Sequence, residues 1–152
     1  MKEKMNSKEL KVVINIFSSS LIFLVYSLYV YFKKIQGNLE IINDPAFWGK
    51  TFLVFIPIAI VTMIIIYIIM AIVNKIVTNE DLDTKSDEMD KLIELRSLRV
   101  SHWSFTGGFI LALGSQAIGM DLWVLFVVLF ASGFLGSIAE GLTQIYYYKR
   151  GI

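Results

Sequence analysis

The chain has 152 residues, of which 56% are hydrophobic and 18% charged, with a mean hydropathy of +0.65. A soluble domain carries roughly 45–50% apolar and about 25% charged residues; the excess here falls in long runs, which excludes a soluble globule and a disordered chain. A net charge of +1 offers no basic face for nucleic acid, and the lack of cysteine excludes disulfides, thiolate zinc sites, iron–sulfur clusters and thiol redox chemistry.

Four apolar runs are expected to be transmembrane helices, at about 12–32, 51–73, 100–120 and 122–148. A bilayer core of about 30 Å needs roughly 20 apolar residues as helix. The first run follows Lys2, Lys4, Lys8 and Lys11. It exceeds the ~7–15 residues of a signal-peptide core, and Lys33 and Lys34 follow it instead of a small-residue cleavage site, so a retained helix is expected. Asn15, Ser18, Ser19 and Ser20 make one half of this run polar, for hydrogen bonds between helices or for a polar cavity.

Residues 33–44 form a loop with a turn at Gly37-Asn38. Asp44 and Pro45 predict a helix start, the carboxylate capping free amides and the proline taking the first helical position. Phe47 and Trp48 are expected at the outer membrane interface, with Lys50 reaching toward water. Pro57 removes one backbone hydrogen bond within the second run and predicts a kink, either structural or a hinge.

A polar loop at about 76–99 follows. Asp81, Asp83, Asp87 and Glu88 do not form a calcium loop, because Lys85 and Ser86 stand where a ligand and the turn glycine belong. Ser86 is the expected N-cap of a helix running unbroken to about Gly119. Its first turns are amphipathic, with Met89, Leu92, Ile93 and Arg96 opposite the charged Asp87, Asp90, Lys91 and Glu94. These four charged residues are candidates for binding a partner.

Gly119-Met120-Asp121 is short enough to make the third and fourth runs an antiparallel hairpin. Small residues recur at every fourth position, Ser104, Gly108 and Ala112 in one run and Gly133, Ser137 and Gly141 in the other. Such stripes let helices pack closely in lipid; a self-association surface or a ligand groove is the alternative use. Trp123 marks the outer interface, and Tyr146, Tyr147 and Tyr148 mark the inner one.

Glu140 is the one acid within a run. Arg99 and His102 begin the third run at the same level, so an ion pair or hydrogen bond to Glu140 is expected. The other use is a proton or cation site, in which His102 would titrate near neutral pH. His102 is the sole histidine, so paired axial haem ligands are absent. No cofactor, metal site or nucleophile–base pair is expected, and no enzyme.

Eleven Lys and Arg flank the runs on one side and three on the other. This bias predicts a multi-pass protein of the plasma membrane with both termini in the cytoplasm. The segment Asp87-Glu88-Met89-Asp90-Lys91-Leu92-Ile93, followed by a glycine-containing hairpin, resembles uncharacterised bacterial four-helix integral membrane proteins grouped as a domain of unknown function. Their signature is close to Asp-Glu-Arg-Asp-x-x-Ile; Met89 replaces the Arg. The resemblance implies four helices and a small helix-turn-helix regulator as companion, and no catalytic residue.

The fold expected is thus an all-α membrane bundle of four transmembrane helices in one domain, the third extended into the cytoplasm. Its function is expected to be interaction or regulation, as a sensor, anchor or immunity-type protein binding a cytoplasmic partner. The alternative is a small oligomeric transporter or channel using Glu140 and His102.

Overall fold

A computed structural model describes residues 7–78 and 87–151. The described residues form four helices: α1 (Ser7–Val30), α2 (Pro45–Thr78), α3 (Glu88–Ala117) and α4 (Leu122–Arg150). Three are long and apolar enough to cross a membrane: α1 with its continuation to Ile35, α2 as far as Ile76, and α4. In α3, the polar residues Ser101, His102, Ser104, Thr106 and Gln116 dilute the apolar run.

The chain leaves α1 through a π-helical turn, Tyr31–Ile35, closed by the Gln36 amide on the Tyr31 carbonyl at 2.9 Å. A 3-10 turn, Leu39–Asn43, then leads to α2. Pro45 takes the first helical position and the Asp44 carboxylate accepts the Ala46 amide at 2.9 Å, which satisfies one free donor of the first turn. The helix continues through Pro57 without a break.

Most residues of α2 are exposed, Leu53, Ile60, Val61, Ile64 and Ile68 each by more than half, while Phe52, Phe55, Ala59 and Met63 form a half-buried stripe. A helix apolar all round with a broad bare face suits a membrane. Near its start α2 is anchored by polar and aromatic contacts. The Tyr26 hydroxyl donates to the Thr51 carbonyl at 2.7 Å, and the Trp48 indole donates to the Ile42 carbonyl at 2.7 Å. Phe47 and Trp48 are buried with Tyr26 and Val30. The 3-10 turn is the cause, because it brings Ile41 and Ile42 against this cluster.

The hairpin of α3 and α4 is the best-packed part of the molecule. α3 ends in a Schellman turn: the Met120 amide bonds the Ser115 carbonyl and the Gly119 amide bonds the Gln116 carbonyl, each at 3.0 Å. Gly119 sits at φ +77°, a conformation that glycine adopts without a Cβ clash. At the other end the N-cap is Asp87, not Ser86, which lies outside the described residues. Asp87 accepts the Asp90 amide at 2.7 Å and donates its own amide to Asp90 at 3.0 Å, a capping box with aspartate at both positions.

The buried stripe of α3 includes Asp90, Ile93, Ser97, Gly108, Ala112 and Ser115. Of the apolar face read from the sequence, Ile93 is fully buried while Met89 and Leu92 are exposed, because the helix is rotated to turn Asp90, expected among the charged residues, inward. On α4 the facing residues are Ser132 and Gly136, one position before the expected Gly133 and Ser137. A Cβ on Gly108 would overlap the Ser132 side chain, and one on Gly136 would lie 3.1 Å from the Ser101 carbonyl oxygen. Gly141 faces α1, where a Cβ would come 2.5 Å from Ile16. Ser104 is half-buried, while Gly133 and Ser137 are exposed.

These contacts predict opposite outcomes for two glycines of one helix. Gly108→Leu should destabilise the protein by about 1–3 kcal/mol or more, because overpacking forces the backbones apart. Gly114 has open space at its Cβ, so Gly114→Ala should be neutral or stabilising by up to about 1 kcal/mol. Thermal unfolding of both variants in detergent checks the contrast.

Candidate functional site

At the start of α3 three helices converge on one carboxylate. Lys8 of α1 bonds to Asp90, and its ammonium lies 3.6 Å from Asp87. Tyr148 of α4 lies near the same carboxylate and favours its charged form. Asp90 therefore closes the α3 capping box and ties α1 to it. Burial acts to raise the Asp90 pKa, but the Lys8 hydrogen bond, the Asp87 amide, the Tyr148 hydroxyl and the Lys8 charge outweigh it and hold the carboxyl below its usual value. Two turns further along, the Ser97 hydroxyl is fully buried and has no hydrogen-bond partner among the described residues.

This arrangement divides the four candidate partner-binding residues. Asp87 and Asp90 are occupied within the protein, whereas Lys91 and Glu94 are exposed. Glu88, Arg96 and Arg99 are exposed too, and the Arg96 guanidinium lies 5.6 Å from the centre of the Tyr147 ring. The first three turns of α3 thus present mixed charge from a helix capped and pinned at its start.

The trio of Glu140, Arg99 and His102 is not joined. Glu140 is half-buried and pairs with Gln144 of its own helix at 3.5 Å. Arg99 and His102 are exposed. The rotation that turns Ser97 inward and brings Ser101 against Gly136 of α4 turns both outward. Among the described residues, the ion pairs shown are those of Lys8, and no group of three His, Asp or Glu side chains comes close enough to hold a metal ion.

A cavity of about 600 Å³ lies between the helices. Phe23 and Ile22 line it from α1, Phe52, Ala59 and Met63 from α2, and Phe105 from α3. Its α4 wall includes Phe126, Phe130 and Phe134, one turn apart, with Gly133 and Ser137. The rings pack on one another: Phe23 stacks on Phe134 at 4.1 Å between centroids, and Phe52 on Phe130 at 4.8 Å. Ser19 and Ser137 supply the lining hydroxyls, and Ser19 donates to the Ile16 carbonyl at 3.0 Å. A buried water needs about 2–4 polar partners, so this space favours carbon over water.

The sequence offered a ligand groove at Gly133 and Ser137 only as an alternative to packing, and gave neither the phenylalanine walls of this cavity nor the role of Lys8. The spacing of Phe126, Phe130 and Phe134 was the available signal for the cavity wall; a lysine before an apolar run gives no sign of its partner. Comparison with known protein families, curated proteins and solved structures found no match to this chain.

The lowered Asp90 pKa has a defined consequence for stability. Asp90 is a carboxylate whose folded-state pKa lies below its ordinary 3.8, so its contribution is complete above that pH and is lost as pH falls through the folded-state value. Asp90→Asn should lower stability at neutral pH by about 1–3 kcal/mol. The difference between wild type and variant should shrink on acidification below pH 3.8. Denaturant unfolding at several pH values measures it.

Proposed function

We propose that this chain is a four-helix integral membrane protein that binds a cytoplasmic protein through the first three turns of α3. The observation that carries this reading is the exposed face of Glu88, Lys91, Glu94, Arg96 and Arg99 on a helix held by its capping box and by Lys8. A rigid surface loses less conformational entropy on binding than a loop does.

The membrane part of the reading follows from packing. α4 is long and apolar enough to cross. α3 runs antiparallel beside it through the Gly108–Ser132 and Gly136–Ser101 approaches, with a turn of four residues between them. A helix held this way crosses the same slab as its partner, although its own sequence is more polar. The positive bias then puts both termini and the Lys8 end in the cytoplasm, and α3 extends from the membrane there. In the resemblance of residues 87–150 to four-helix membrane proteins, a soluble helix-turn-helix regulator is the companion, and that is the class of partner we favour.

A small oligomeric transporter working through Glu140 and His102 has less support. Neither residue lines the cavity, and the cavity walls are carbon but for two hydroxyls.

The test uses the full chain in mild detergent as bait for native cytoplasmic proteins. Wild type should retain a stoichiometric soluble partner. Lys91→Glu with Glu94→Lys should weaken retention by about tenfold or more without changing thermal stability, because both residues are exposed. Unchanged retention by that folded variant would sink the α3 surface as the binding site.

A further inference from the structure

The apolar cavity has an open side. α1 and α4 pack together and α2 packs on α1, but α2 and α3 do not pack against one another. Phe105 of α3 and Met63 of α2 both line the space, so it is a cleft that opens between these two helices. Its volume of about 600 Å³ falls in the range of small-molecule sites, roughly 300–1,000 Å³.

A charge lies beyond one end of the cleft, outside its lining. Ala59 and Met63 line it at successive turns of α2, and Tyr67 is the next residue of that stripe. The Lys11 ammonium stands over the Tyr67 ring, 5.8 Å from its centre. Lys11 is exposed. An apolar cleft whose α2 stripe continues, one turn beyond its lining, to a ring under an exposed ammonium matches a molecule with a hydrocarbon chain and an anionic head. A soluble protein segment would bring backbone amides and carbonyls that the carbon walls leave unpaired.

We propose that the cleft between α2 and α3 holds the acyl chain of an anionic membrane lipid, with Lys11 engaging its headgroup. The proposal rests on the membrane reading above. The phenylalanine walls supply dispersion contacts to the chain. Gly133 and Ser137 line the cleft on α4 with small side chains, and even a Cβ at Gly133 would meet nothing within 4 Å, so a chain has room there. Lys11 supplies the selectivity for charge, and the cleft itself the selectivity for a chain over a free anion.

The experiment reconstitutes the full chain into vesicles of phosphatidylglycerol and phosphatidylcholine with identical chains. Flotation with the vesicles is read first; failure to float overturns the membrane reading itself. Floated protein is then extracted in mild detergent, and its bound lipid is identified by native mass spectrometry. Wild type should retain one phosphatidylglycerol per chain. Lys11→Gln should lower the preference for phosphatidylglycerol over phosphatidylcholine by about fivefold. Gly133→Phe and, separately, Ser137→Phe should fill the cleft and lower retention of both lipids by about tenfold or more, with helicity and thermal unfolding unchanged.

A floated wild type that retains neither lipid, or both equally, overturns the proposal while leaving the membrane reading intact. So does full retention in both folded phenylalanine variants. Recovery of a dimer that Gly133→Phe dissociates would also overturn it, by giving the cleft to a second copy of the chain.

Discussion

The close approach of α3 to α4 is the constraint on which the rest of the structure depends. A methyl group at Gly108 would overlap Ser132, and Gly136 lies against the Ser101 carbonyl. In lipid, apolar surface gains little by meeting other apolar surface, so helices associate through packing at short range and through polar contacts. Small side chains permit that range. Once Gly108 faces Ser132, the rotation of α3 is settled along its length. Asp90, Ile93 and Ser97 turn inward, while Arg99 and His102 turn outward.

That rotation has an electrostatic consequence at the start of α3. An inward carboxylate loses hydration and needs replacement partners. Lys8 and the Asp87 amide provide them, and Lys8 in doing so joins α1 to the N-terminus of α3. One aspartate thereby serves as cap residue, ion-pair partner and cross-link. The charged residues left over, Lys91 and Glu94 among them, remain on the surface of a fixed helix. At the opposite end, the Trp48 and Tyr26 hydrogen bonds attach α2, while along its middle α2 stands apart from α3. The cleft is the space this uneven attachment leaves.

Charge and apolar volume are therefore kept separate in this molecule. The mixed-charge surface gathers on the early turns of α3, and the cleft wall is phenylalanine and aliphatic carbon. Glu140 belongs to neither, being half-buried beside Gln144. The proposed recognition at α3 and the proposed apolar occupant of the cleft both rest on this division.

Composition and periodicity alone determined the helical class, the apolar stretches and the cap at Asp44. Each of these rests on interactions among residues a few positions apart, which a sequence displays directly. The hairpin of α3 and α4 was legible for the same reason, since its turn is short and carries Gly119. The face of each helix was not. Gly133 and Ser137 obey the same spacing as Ser132 and Gly136, and a shift of one residue rotates a helix by about 100°. Only the packed backbones decided between the two registers. The same holds for Asp90, whose partner Lys8 lies 82 positions away, and for the cleft, whose walls come from all four helices. Such contacts have no period along the chain. They exist because helices distant in sequence were brought together by the few small side chains that let them touch.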